Sequence, residues 1–364
     1  MKTIYHYGGW GRNYGDLAIQ AGMMHTLQHM ASCQGQSIEF IPIDLKQQSP
    51  LHEGLIDLIN YRGDMLLVGG GGLIMPGDGF TTRSGWQFNI SEKDLDKLKV
   101  PLVIYGIGYN IFPGDERVME GDIIRHLIKT REVAKLFSVR DYGTRDWLTN
   151  REVWDIDVIP DPAMFCPSYI SMGSLARLNE FCIGLCWAGD RMDRRFPPSG
   201  DDRDVIKRVS DILLECLEVQ GGGKVVYIPH VGIYDWKAAI LFEQYLGNSF
   251  CNIAEEIPYL FPESLAQVPL VVGIYSMMNV VVGMRGHSNI IPYGQGVPVI
   301  GFGNHLKNQF FAKSVGGITI GNDCEGLAEA LAKSALVEPG PSLQPEGKLI
   351  EDFNRRVLDV LHNT

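Results

Sequence analysis

Short runs of β-branched and aliphatic residues alternate with helical stretches along almost the whole chain, and this alternation limits the fold more than any other feature. The first series of runs lies at residues 3–7, 37–43, 65–68, 102–107, 136–139 and 158–159. A second follows at 182–187, 224–229, 270–274, 280–283, 297–302 and 317–320. Between them, 16–30, 202–219, 236–246 and 324–334 carry apolar residues at three- and four-residue spacing, as helices with one buried face do. That rhythm is the signature of βαβ units and predicts an α/β protein with parallel sheets. The pattern restarts after a break at 160–178, and 364 residues exceed what one compact core usually organises. We therefore expect two Rossmann-like domains, 1–170 and 171–338, with a cleft between them as the default ligand site. A Pro-rich piece at 337–345 leads to a last helix at 347–361, placed in a linker-plus-helix segment (339–364) that could pack back on the first domain.

Composition narrows the function classes. Apolar residues make up 45% and charged residues 21%, and no window reaches the run of about 18 apolar residues that a membrane span needs. The first nine residues lack the length and the cleavage site of a signal peptide, so a cytoplasmic location is expected. A net charge of −11 argues against nucleic acid, whose binding depends on a surplus of Lys and Arg. An anionic ligand would thus need a local basic site. Of seven cysteines, Cys166, Cys182, Cys186, Cys216 and Cys251 sit in or beside apolar runs. We read them as reduced packing thiols, with no metal site and no cofactor expected.

The 42 glycines gather just after expected strands, where doubly wound folds bind ligands. Gly8-Gly9-Trp10-Gly11-Arg12-Asn13-Tyr14-Gly15-Asp16 joins the first strand to the first helix. There, glycines let the backbone approach a ligand and free N–H groups attract anions or hydroxyls. Asp16 is placed either to cap the helix or to touch a ligand, and Asn13 and Gly15 to shape the loop or contact a ligand. The glycine spacing is not that of a dinucleotide fingerprint. Gly69-Gly70-Gly71-Gly72 reads either as an open floor, with Gly70 and Gly71 presenting backbone amides, or as a tight turn under a helix. Gly106-Ile107-Gly108 repeats the device. Arg140, at a strand end, is suited to fork onto an anion, whereas Arg145 reads as a surface pair with a neighbouring acid. His230, with Asp235 five residues on, is either a hydrogen-bonding contact for a sugar or a structural histidine.

The most informative segment is Val280-Val281-Val282-Gly283-Met284-Arg285-Gly286-His287-Ser288-Asn289, followed by Gly296-Val297-Pro298, Asn304 and Lys307. An apolar strand runs directly into a cation, an imidazole and an expected helix start at Ser288. A phosphate or carboxylate would be well received there, with Lys307 adding a second positive charge.

Taken in order, these segments resemble the polysaccharide pyruvyl transferase family. The resemblance rests on Asn13-Tyr14-Gly15-Asp16, the strand with its glycine run, Val139-Arg140-Asp141, Asp161-Pro162-Ala163, Gly283-Met284-Arg285-Gly286-His287, Gly296-Val297-Pro298 and Lys307. The match departs from the family pattern at Gly286, where a larger residue is usual, and at Ser288-Asn289, which replace a small apolar pair. The resemblance implies a glycosyltransferase-B-like pair of facing Rossmann-like domains, the first on the acceptor side and the second on the donor side. It further implies transfer of pyruvate from phosphoenolpyruvate, as a ketal, to a sugar or glycan acceptor, free or lipid-linked. The family's Arg and His fall on Arg285 and His287. On that basis His287 is the expected general acid and Arg285, with Arg140 or Lys307, the expected anion clamp. Competing readings are a nucleotide-sugar-dependent glycosyltransferase and a non-catalytic carbohydrate-binding relative. Trp10, Trp86, Trp187 and Trp236, near expected loop edges, would serve sugar stacking in all three.

Overall fold

The computed structural model describes residues 1–47, 50–75, 82–113, 121–169, 180–198, 200–256, 264–337 and 343–363. The chain forms two compact units. One comprises Met1–Trp10, Ile19–Phe165 and Gln344–Thr364, and the other Gly11–Ala18 and Cys166–Leu343. The expected break at 160–178 and the Pro-rich piece at 337–345 fall partly outside the described residues.

The first unit holds strands β1 (Lys2–Gly8), β2 (Ile38–Asp44), β3 (Met65–Ile74), β4 (Leu102–Tyr109), β5 (Leu136–Val139) and β6 (Asp157–Val158). They form a parallel sheet in the order β2-β1-β3-β4-β5-β6. The second holds β7 (Cys182–Cys186), β8 (Lys224–Tyr227), β9 (Phe250–Asn252), β10 (Val280–Gly283), β11 (Val299–Phe302) and β12 (Ile318–Ile320), in the order β12-β11-β10-β7-β8-β9. Every residue of β4, β7 and β10 is buried, as expected where helices cover both faces of a parallel sheet. The second order is the dinucleotide-fold order read from the opposite edge, and the first is flavodoxin-like with one extra strand. Each therefore has a point where strand order reverses: β1/β3 in the first unit and β7/β10 in the second. Ligands of open α/β sheets bind at the carboxyl ends of such strand pairs.

Three expectations change. Residues 270–274 are not a strand but the centre of the helix Val268–Ser276, whose first turn contains Pro269. Six of its nine residues are buried, so it is apolar on nearly all sides and shows no helical period in sequence. The glycine run Gly69–Gly72 is not a loop after β3 but lies within it. A strand not foreseen, β9, forms at Phe250–Asn252, just beyond the glycine that ends the helix Gly232–Leu246.

The last helix, Gln344–His362, lies in the first unit, burying Ile350, Phe353, Val357, Leu358 and Leu361 along one face. Tyr105 Oη donates to Asn354 Oδ1 at 2.6 Å, and Arg356 pairs with Asp157 at 2.8 Å. Among the described residues, no helix is long and apolar enough to cross a membrane.

Candidate active site

At the switch point of the second unit, the carboxyl ends of β7, β8, β10 and β11 deliver Asp190, His230, Arg285 with His287, and Asn304 with Lys307. Asp235 joins them from the first turn of the helix Gly232–Leu246. Its carboxylate is fully buried and each oxygen is committed. Oδ2 accepts the backbone N–H of His230 and of Val231 at 2.9 Å each, and Oδ1 accepts Gly189 N–H at 3.3 Å. The same carboxylate takes Arg285 in a two-pronged contact, Nε to Oδ2 at 2.9 Å and Nη2 to Oδ1 at 2.5 Å. Nη2 also reaches Asp190 Oδ1 at 2.7 Å. Burial opposes the Arg285 charge, but the two carboxylates outweigh it and raise its pKa, so it stays cationic throughout. Arg285 is therefore not the open fork that its place in the sequence suggested. Asp235 is a positioning residue for it, not a substrate contact.

The turn that carries Arg285 is pinned from behind. Its carbonyl accepts Ser288 Oγ at 2.7 Å and Asn289 Nδ2 at 2.9 Å, and Asn308 Nδ2 donates to the Met284 carbonyl at 2.9 Å. Ser288, an expected substrate contact by its place in the late block, is wholly buried, and its hydroxyl is spent on the Arg285 carbonyl, so it shapes the backbone. The departure from a small apolar pair has this structural use. The helix begins at His287, one residue before the expected start, and runs to Gly294.

His287 is half-buried, and Gly15 lies flat against it. A Cβ on Gly15 would come within 2.8 Å of both Cβ and Cγ of His287, and closer still to Nδ1. The segment Gly11–Ala18, which clusters with the second unit, is anchored by Tyr14 N–H donating to the His230 carbonyl at 3.1 Å. Asn13, not Asp16, caps the first helix, its Oδ1 accepting Gly15 N–H at 2.9 Å. Asp16 instead accepts from Asn13 Nδ2 at 3.1 Å. His230 itself is 1% exposed, with Nε2 at 2.6 Å from Tyr275 Oη. Burial, with the nearby charges of Arg285 and His287, holds its pKa well below the usual range, so the imidazole is neutral. An enclosed ring of this kind does not meet a sugar. His230 acts through its backbone, with its N–H on Asp235 and its carbonyl on Tyr14.

Two further cations complete the site. Arg195 is 4% exposed, donating from Nε to the Asp190 carbonyl at 2.8 Å and from Nη2 to Asp190 Oδ1 at 3.4 Å. Burial pushes its pKa down to about 10. Lys307 is half-buried, its side chain running past Gly286, where a Cβ would meet Lys307 Cδ and Cε at 3.4 Å. Asn304 is half-buried and donates to the Arg194 carbonyl at 3.0 Å. Burial raises the Asp190 pKa, but Arg285, Arg195 and Lys307 overcome this and keep it well below the ordinary carboxylate range. Among the described residues, Asp190 thus meets the charges of Arg285, Arg195 and Lys307, and Asp235 shares Arg285 with it. The sequence reading missed Asp190, Arg195 and Tyr275. Asp190 had a signal, since Gly189-Asp190 follows an apolar strand as the other site loops do. Arg195 sat in the charged stretch 191–195, which gave no hint of burial, and Tyr275 was hidden by the misread run at 270–274.

Other expected site residues lie in the first unit and are packed instead of open. A side chain on Gly70 would strike Ile19 Cγ2 at 2.8 Å, and one on Gly71 would meet Ile19 Cδ1 at 3.0 Å. The glycines thus let the helix Tyr14–Cys33 press onto β3; they lie under a helix, as one expectation had it, but in a strand and not in a turn. Arg140 is 9% exposed, pairs with Asp161 at 3.1 Å, and lies against Gly108. A buried and paired guanidinium is not an available clamp. Arg145 pairs with Asp146 at the surface, as expected. Trp86 and Trp187 are fully buried, their Nε1 groups bonded to His126 and Asp202, so they do not stack on sugars.

The family model for polysaccharide pyruvyl transferases matches residues 13–305. The chain belongs to that family. Asn13, Gly15, Asp235, Arg285 and His287 all fall within the matched span. No curated protein matches the chain. Solved structures show the same fold at low identity. A protein assigned as a UDP-N-acetylglucosamine 2-epimerase from Listeria monocytogenes is 13% identical over 100% of this chain and 98% of its own, with a TM-score of 0.63. The UDP-N-acetylglucosamine 2-epimerase of Methanocaldococcus jannaschii is 12% identical over 98% and 99%, at 0.59. That of Neisseria meningitidis, bound to UDP-N-acetylglucosamine, is 13% identical over 100% of both, at 0.57. This pyruvyl transferase family member therefore has a glycosyltransferase-B-like fold, built of two six-stranded parallel α/β units.

Proposed function

We propose that the protein moves pyruvate from phosphoenolpyruvate onto two hydroxyls of a glycan sugar as a ketal, releasing phosphate. The observation that carries this reading is the half-buried His287 two residues from Arg285, which Asp235 fixes in place, with Arg195 and Lys307 bearing on the same carboxylate, Asp190. Phosphoenolpyruvate brings a phosphate and a carboxylate, and a cluster of this kind suits both. His287 protonates the methylene carbon, turning it into the methyl group while positive character develops at the carbon bearing the phosphate. One sugar hydroxyl attacks that carbon and gives up its proton, which restores His287. The second hydroxyl closes the ring as phosphate leaves, and its proton ends on phosphate. Arg285, fixed by Asp235, supplies charge at a set position, and Lys307 and Arg195 add to it. Holding the two hydroxyls and the donor in register supplies much of the rate.

The test is phosphate release from phosphoenolpyruvate across a panel of hexosides, with a mass gain in the acceptor. His287→Gln should abolish release without lowering Tm, and near-normal turnover in that variant would refute the assignment. Because structures of similar fold include one bound to UDP-N-acetylglucosamine, a nucleotide sugar is the alternative donor. A larger Tm rise with UDP than with phosphoenolpyruvate would favour it.

A further inference from the structure

Asp190 and Asp235 share Arg285, but they are built differently. Asp235 is fully enclosed and held by three backbone N–H groups as well as the guanidinium. The Asp190 side chain is 29% exposed, against 11% for Arg285 and 5% for Arg195. Its Oδ1 is the single atom on which Arg285 Nη2 (2.7 Å) and Arg195 Nη2 (3.4 Å) converge. Lys307 adds a third positive charge within electrostatic reach. The carboxylate stands at the carboxyl end of β7, beside β10, where the strand order reverses. An oxygen acceptor shared by two guanidinium groups and open on its outer side is how a bound carboxylate or phosphate sits.

We infer that Asp190 is an internal competitor for the donor's anionic group, and that it sets how much negative charge a ligand must carry to bind. The inference rests on the reading that the donor's anion is held by Arg285 and its neighbours. Asp235 stays on Arg285 permanently. Asp190 supplies one negative charge to Arg285 and Arg195 while it stays in place, so a ligand with one negative charge gains little by replacing it. A ligand with both a phosphate and a carboxylate exceeds what Asp190 supplies and displaces it. Asp190 is thus a specificity residue that favours phosphoenolpyruvate over pyruvate, the same carbon skeleton without phosphate.

The experiment is calorimetric titration of inorganic phosphate, phosphoenolpyruvate and pyruvate into the wild-type protein, Asp190→Asn and Asp190→Ser. Charge-assisted hydrogen bonds released from an internal partner should tighten phosphate binding by about tenfold in both variants. Pyruvate should tighten as well, so that the preference for phosphoenolpyruvate over pyruvate falls. The phosphate-induced rise in Tm should also be larger in the variants than in wild type, whatever their starting Tm. If phosphoenolpyruvate binds wild type and the variants bind phosphate no more tightly, the inference fails while the donor reading stands. If neither phosphate nor phosphoenolpyruvate binds any of the three proteins, both fail. Loss of folding in both variants, even in phosphate buffer, also overturns the inference, because a displaceable carboxylate cannot be one the fold requires.

Discussion

Gly15→Ala should separate catalysis from folding. The added methyl would stand within 2.8 Å of His287 Cβ and Cγ, atoms near the backbone that cannot swing away as a flexible tip could. The imidazole or the whole Gly11–Ala18 segment has to move. Overpacking of this kind costs about 1–3 kcal/mol. Alanine is favoured over glycine in a helix by up to about 1 kcal/mol, and Gly15 lies in the first turn of Tyr14–Cys33, so the net loss is about 0–2 kcal/mol. A fold with a typical margin of about 5 kcal/mol or more stays folded. A reacting group displaced by about 1 Å, however, loses on the order of 100-fold in rate. Thermal unfolding should therefore shift by a few degrees while phosphate release falls about 100-fold. Gly286→Ala is the control. Its methyl meets Lys307 at 3.4 Å, an ordinary contact, so the rate should stay within severalfold of wild type. Wild-type turnover in Gly15→Ala, or an equal loss in Gly286→Ala, would refute the argument that Gly15 sets the place of His287.

Other consequences are open to direct measurement. Asp235→Asn leaves the buried Arg285 without its main counter-charge and should cost about 3–5 kcal/mol in urea unfolding, with activity lost; a stability change below 1 kcal/mol would contradict the positioning role. Arg285→Lys keeps the charge but not the two-pronged contact with Asp235, so donor affinity should fall while Tm changes less than in Asp235→Asn; unchanged donor affinity would exclude Arg285 from the site. Burial depresses the pKa of His6 and of His126 from 6.5 to about 4, against the backbone hydrogen bonds that each makes with Gly69 and Ile90. The unfolded chain then binds protons from pH 6.5 downward and the native state only near 4, so these two histidines make stability fall with pH across that window, by about 3 kcal/mol each. Their C2–H resonances should stay unshifted down to pH 5, and titration near 6.5 would contradict the assigned burial.

The family, the parallel α/β class and the place of the late block were all legible in the order of motifs and the strand–helix rhythm. The run 280–283 coincides with β10, because a fully buried parallel strand is a short continuous apolar run. The same simplicity misled at 270–274, since a helix buried on nearly all sides has the same composition. Arg285 and His287 stood out because a strand end in this fold points side chains at the ligand side of the sheet.

Which charges face which is another matter. Periodicity and strand-end position depend on neighbours in the chain, and they suffice for the sheet, the switch point and the presence of a cation and an imidazole there. Pairing depends on groups far apart in sequence: Asp190 and Asp235 on Arg285, Asp161 on Arg140, Gly15 on His287. A guanidinium free to clamp an anion and one held by a buried carboxylate look alike in a sequence. Only the folding of β7, β8 and β10 into one sheet separates them, because solvation and charge pairing are set by distances that no local pattern encodes.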